Sequence, residues 1–141
     1  MARHNQTGRS KGFGRFVQFP EYIARSYAWS RLAPLAKVAW LEIGLIYNGS
    51  NNGCLGVSAR VLAARLGVSK SSATRAINEL VRWGFLDLMK RSDFGKKKSA
   101  AEYRLTHVDC NVTNERPSKR FMKIADVGSA QPQNELLPVG P

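Results

Sequence analysis

Apolar positions along the 141-residue chain change their spacing several times, and each change predicts an element. "PEYIARSYAW" reads as a short helix with Pro20 in its first turn. "SRLAPLAKVAWLEIGLIYNG" reads as a longer one. Ser30 is a candidate N-cap, and Pro34 draws the regular start toward itself. Leu35, Val38, Ala39, Leu41, Leu45 and Ile46 recur there at helical spacing, with Glu42 among them, and form a broad apolar stripe. Asn48-Gly49 ends the helix, "GSNNG" is a turn, and "CLGVS" suits a small strand. Ser58 caps "ARVLAARLG", which Gly67 ends. Ser69 caps a helix from Lys70 to about Trp83, which Gly84 ends. "FLDLMKR" and "AEYRLTHV" alternate as strands and pair antiparallel around the polar loop "SDFGKKKSA". The expected fold is mainly α with a small β-hairpin. No internal repeat interrupts the order.

The Lys70–Trp83 segment divides cleanly by face. Ala73, Ile77, Leu80 and Val81 form one apolar stripe, which would pack on Val61, Leu62 and Leu66 of the preceding helix. The opposite face carries Lys70, Ser71, Thr74, Arg75, Asn78 and Arg82, with no carboxylate until Glu79 at its edge. A solvated helix face normally mixes charge signs. Donors and positive charge alone suit phosphates and base edges. Arg75 has the fork for guanine O6 and N7, and Asn78 the paired groups for adenine N6 and N7. Lys70, Ser71 and Ser72 occupy the first turn, where free backbone N–H groups favour a phosphate. Lys90, Arg91, Lys96, Lys97 and Lys98 cluster at or near the hairpin tip, within expected reach of the backbone or a minor groove. With the helix-capping serines Ser58 and Ser69, these residues make up the candidate DNA-binding set.

Charge strengthens that reading. Lys and Arg number 22 against 10 Asp and Glu, for a net +12. An excess of this size points to a polyanion, nucleic acid before a membrane surface. Residues 1–15 are polar and basic, with Arg3, Arg9, Lys11 and Arg15 and no acid, and predict a flexible arm. Residues 114–141 are rich in Pro, Gly, Gln and Asn and predict a disordered tail. The folded domain is thus expected over 16–113.

"SARVLAARLGVSKSSATRAINELVRWGFLDLMKR" resembles the winged helix-turn-helix domain of MarR-type and GntR-type regulators, and the DNA-binding domain at the start of phage replication O-type proteins. The "LGVSKSS" turn, the "RAINELVRWGFL" helix end and the hairpin carry the likeness, over roughly Leu35 to Thr106. The resemblance implies that the helix beginning at Lys70 is the recognition helix and the Lys-rich hairpin the wing. One fold here serves repressors, activators and replication initiators.

Other chemistries find little support. The start lacks an apolar leader core, and the longest apolar stretch, "VAWLEIGLIY", is short and contains Glu42, so a cytoplasmic, nucleoid-associated protein is expected. Cys54 and Cys110 read as free thiols there. His107, Asp109 and Cys110 lack a second ligand pair for zinc, and "GFG" at 12–14 lacks the ending of a phosphate loop. The scattered acids (Glu21, Glu42, Glu79, Asp87, Asp93, Glu102) and two histidines form no catalytic constellation. The chain is therefore expected to be no enzyme and to use no cofactor or metal. Trp29, Trp40, Trp83, Tyr22, Tyr27 and Tyr47 sit among aliphatic neighbours and read as core or dimer contacts, not base-stacking platforms. Three functions follow from the pattern: a small transcriptional regulator binding double-stranded DNA as a homodimer, with Phe16–Trp29 or the aromatic face of the next helix as the dimer contact; an origin-binding or accessory replication factor of a plasmid, phage or mobile element; and a non-specific nucleic-acid adaptor whose arm and tail bind a further protein partner.

Overall fold

A computed structural model describes residues 14–93, 95 and 99–124. Five helices and three strands follow in order: α1 (Glu21–Ala24), α2 (Tyr27–Arg31), α3 (Pro34–Ile46), β1 (Leu55–Val57), α4 (Ala59–Leu66), α5 (Lys70–Arg82), β2 (Leu86–Lys90) and β3 (Ala101–Leu105). A 3-10 turn over Arg120–Lys123 closes the described chain. The sheet is antiparallel in the order β1-β3-β2. β3 lies at its centre, with Tyr103 opposite both Leu55 and Leu88. A bulge at Met89 interrupts the β2–β3 ladder before Lys90 pairs with Glu102, which bends the outer half of the hairpin. Among the described residues no helix is long and apolar enough to cross a membrane.

Local chemistry sets the helix ends. Ser58 Oγ accepts from Val61 N, and Ser69 Oγ accepts from Ser72 N. Between them Gly67 sits at φ 70°, a left-handed conformation that glycine adopts without penalty. The segment "PEYIARSYAW" is two helices, not one. Ser26 breaks it, donating its hydroxyl hydrogen to Ile23 O (2.7 Å) and accepting from Trp29 N (3.1 Å). Ser30 does not cap α3. It lies inside α2 and donates back to Tyr27 O, while α3 starts at Pro34.

The rotation of α3 divides the apolar stripe between core and surface. Its inner face is Ala36, Ala39, Trp40 and Ile43, and Val38, Leu41, Leu45 and Ile46 of the sequence stripe are exposed. α3 is apolar nearly all round, so periodicity alone does not say which side is buried. Small Ala36 and Ala39, with the large Trp40, let α3 settle on the core. Trp29, Trp40 and Phe85 pack edge to face there, with the Trp29 ring 5.6 Å from each of the other two. Trp29, Trp40 and Trp83 are buried, which is the core option of the two the sequence left open.

Both domain ends run further than composition indicated. Arg15 donates to Leu45 O and Tyr47 O at the end of α3, so it serves the fold and not a free arm. Residues 1–13 lie outside the described chain. At the other end, packing continues beyond 113 to Ile124. Phe121 is 1% exposed and stacks on Phe85 at 4.7 Å. Gly84, at φ 87°, admits this strap, because a Cβ there would stand 2.7 Å from Phe121 N. Arg120 binds Asp87 and donates to Val81 O and Leu86 O, while Arg104 spans Asp87 and Glu115. A lone aromatic in a polar stretch does not register in a composition window, and this is why the tail boundary fell too early. Residues 125–141 lie outside the described chain.

Asn52 is fully buried and fully used. Its amide donates to Leu105 O and Asp109 O (2.9 Å each), and its carbonyl accepts from Leu105 N (2.7 Å). His107 lies against Trp40, 5.3 Å between rings. Burial, then the Lys119 charge, lowers its pKa from 6.5 to about 4.

Two outcomes follow. Phe121→Ala should cost about 3–5 kcal/mol of stability by urea unfolding, and a loss under 1 kcal/mol would show that the strap does not pack. An unfolded chain takes up the His107 proton near pH 6.5 and the folded chain near 4, so stability is complete above 6.5 and falls by about 3 kcal/mol toward pH 4. The raised Glu79 carboxyl works in the opposite sense at the acid end, so the comparison is made against His107→Gln. That variant should flatten the slope, and unchanged slopes would refute the assignment.

Candidate nucleic-acid interface

Helix α5 carries the site because its inner face is fixed. Ala73, Ala76, Ile77 and Leu80 are buried, and α5 packs on both α4 and α3. Val81 is half-buried as the stripe required. Of its expected partners, Leu62 is buried and Leu66 half-buried, but Val61 is 61% exposed. Glu79 is half-buried and accepts from Ala33 N at 2.7 Å, which ties the middle of α5 to the start of α3. Burial raises its pKa, against the lowering effects of the Ala33 hydrogen bond and the Arg82 charge.

With that side held, Lys70, Ser71, Thr74, Arg75, Asn78 and Arg82 stand exposed on the other. Lys70, Thr74 and Asn78 open on a cleft of about 620 Å³ between α5, the start of α4 and the hairpin, where Asp93 and Ser99 form the far wall. Lys90 and Arg91 are exposed at the end of β2. Lys96, Lys97 and Lys98 lie outside the described residues, and the loop they belong to is closed by the Asp93–Ser99 bridge.

Three of the serines do structural work first. Ser58 and Ser69 cap helices, and Ser72 is half-buried with its hydroxyl 3.0 Å from that of Ser69. Two charged residues of the cleft are outside the candidate DNA-binding set read from sequence. Arg60 is exposed in the first turn of α4 and lines the cleft beside Ser58. The pattern held a signal for it, since Leu62, Ala63 and Leu66 turn inward and leave 60 outside. Asp93 is the other: its carboxylate accepts from Gly95 N and shapes the hairpin tip. Sequence spacing carried no sign of its position in the cleft.

No group of three His, Cys, Asp or Glu side chains gathers as a metal site among the described residues. Cys110 is buried and Cys54 exposed, and both are free thiols.

A helix framed by a turn, an inner packed face and a hairpin on its flank is the geometry of a winged helix-turn-helix. Residues 43–96 match the sequence model of the MarR family. The fold is a winged helix, and over these residues the chain is similar to MarR-type DNA-binding domains. The matched stretch runs from late α3 through α4, α5 and β2 into the wing. No curated protein and no solved structure matches the chain.

Arg75→Ala and Asn78→Ala should each cost about 1–3 kcal/mol on a specific duplex and relax the base preference at one position. Fluorescence anisotropy at fixed salt measures both. An unchanged affinity and preference in both variants would remove α5 from the interface.

Proposed function

We propose that this protein is a sequence-specific double-stranded DNA-binding regulator of transcription that lays α5 in the major groove. The observation that supports this most directly is the outer face of α5, where Lys70, Thr74, Arg75 and Asn78 present donors beside a cleft and no carboxylate. The MarR-type domain supports DNA binding and transcriptional regulation in general. In this reading Arg75 and Asn78 contact base edges. Lys70, Ser71 and the first-turn backbone of α5 hold a phosphate, and Arg60 holds another from the start of α4. Lys90, Arg91 and the Lys96–Lys98 run reach the backbone or the adjacent minor groove through the wing. Binding as a pair on two half-sites would set them about 34–36 Å apart.

Selection from a random duplex pool tests the reading. A defined motif should enrich, and its affinity should exceed that for unrelated duplex by about 10³-fold or more. Lys97→Ala should weaken all duplexes alike and lower the salt slope by about one. Equal affinity for every duplex would instead establish a non-specific adaptor.

A further inference from the structure

The segment before α2 leaves three aromatic rings on the surface. Phe16, Phe19 and Tyr22 stand at every third position and are 70%, 42% and 37% exposed. Two of them are held by rings of the core. Phe19 tilts on Trp29, 4.8 Å between centroids, and on Trp40 at 5.5 Å, and Tyr22 stacks on Phe121 at 6.2 Å. Cations sit among them. Lys119 Nζ lies 4.8 Å over the Tyr22 ring, and Lys37 Nζ lies 5.9 Å over that of Trp29. Between positions 14 and 41 the one acid, Glu21, is paired with Arg25 at 2.9 Å. A ring already held by its neighbours loses little freedom when a ligand stacks on it.

The same segment closes a cavity of about 320 Å³, at the small end of the range for ligand pockets. Arg15, Phe16 and Gln18 line one part of it, Trp40 and Gly44 of α3 another, and His107 a third. No carboxylate lines it. Its polar groups want partners. Trp40 is 1% exposed, and its indole N–H meets no acceptor among the described residues. A buried donor without an acceptor is a standing cost that an incoming acceptor removes. His107 packs on Trp40 and stays neutral at pH 7, so its ring carries one donor and one acceptor nitrogen. Arg15 spends one terminal nitrogen on Leu45 O and Tyr47 O, which leaves the rest of its fork. Phe19, against Trp40, and Lys119, whose charge acts on His107, join the cavity to the surface rings.

We infer that this surface is a second nucleic-acid site, which takes an unpaired strand and lodges one of its bases in the cavity. Each nucleotide of a single strand offers a π-face, a base edge of donors and acceptors, and a phosphate. Phe16 and Phe19 answer the faces. The Trp40 indole N–H, His107 and Gln18 answer the edge, and Arg15, Lys37 and Lys119 the phosphates. In a duplex the base faces are stacked on one another, so exposed rings favour the unpaired strand. An anionic bilayer is bound by a continuous apolar helix face. Residues 14–20 form no helix, and no leucine, isoleucine or valine is exposed over 14–31. The cavity shares no lining residue with the cleft beside α5. This site therefore stands apart from the major-groove reading, and one domain would hold duplex and unpaired strand at different places.

Fluorescence anisotropy of the full chain with a labelled strand of twelve thymidines, at about 0.15 M salt, tests the proposal. A strand of equal length without bases carries the same phosphates. The base-bearing strand should bind about tenfold or more tighter, and equal affinity would reduce the surface to charge attraction and overturn the inference. Phe16→Leu and Phe19→Leu keep apolar bulk and remove the π-face. Each should weaken the base-bearing strand by about fivefold or more while leaving the baseless strand and the thermal transition unchanged. His107→Leu, which removes both ring nitrogens, should act in the same way. Should that variant fail to fold, Phe16→Leu, at the most exposed of the rings, still decides, and no effect there would overturn the proposal. Free thymidine monophosphate should not displace the strand at equal nucleotide concentration; displacement would assign the cavity to a mononucleotide and overturn the strand. Binding to phosphatidylserine vesicles in place of the strand would overturn it in favour of a bilayer. None of these readouts depends on whether a duplex motif enriches, so failure of the major-groove reading is visible apart from failure of this one.

Discussion

The domain depends on the burial of one face of α5. Ala73, Ala76, Ile77 and Leu80 bring this 13-residue helix against α3 and α4. Two of those four are alanines, which permit close approach, and two are large enough to fill the space left. Once they are buried, helical geometry leaves Lys70, Thr74, Arg75 and Asn78 outside together. The Glu79 hydrogen bond to Ala33 N then fixes the rotation of α5 relative to α3. The chemistry of the exposed face is thus a consequence of packing: the core determines which side chains of α5 stand outside.

The wing is held by a different kind of interaction. Asp87 on β2 takes Arg104 from β3 and Arg120 from the closing 3-10 turn. Arg120 also reaches the backbone at Val81 and Leu86, where α5 ends and β2 begins. Asp87 and Arg104 are each only 18% exposed in their side chains, so these are pairs in which loss of one partner strands the other. The strap ending at Ile124 therefore ties the end of α5 to β2 and β3, although it contributes no side chain to the cleft. His107 and Asn52 hold the same C-terminal end of β3 from the other side, one against Trp40 and one by three backbone hydrogen bonds.

Much of this was legible in the sequence because strong local rules agreed. Ser58, Gly67, Ser69 and Gly84 mark the helix ends by chemistry that tertiary contacts did not override. The faces of α5 were clear because polar and apolar residues segregate there. The buried side of α3 was not legible for the opposite reason: with apolar residues on nearly every side, only contact with α4, α5 and the Arg15–Phe19 segment decides which are buried. The strap at 114–124 was missed because one phenylalanine and one arginine hold it, and neither stands out in a polar segment. Arg60 was legible in principle, whereas Asp93 reached the cleft through the bend of the hairpin, which no local pattern records.

The central claim, that α5 reads base edges in the major groove, is tested most directly by methylation interference on an enriched duplex. Guanine N7 lies in the major groove and adenine N3 in the minor groove. Methylation of one or two guanines at N7 within the motif should block binding by the native chain, and Arg75→Ala should become indifferent to one of them. Interference confined to adenine N3, or absent at every base, would contradict the account.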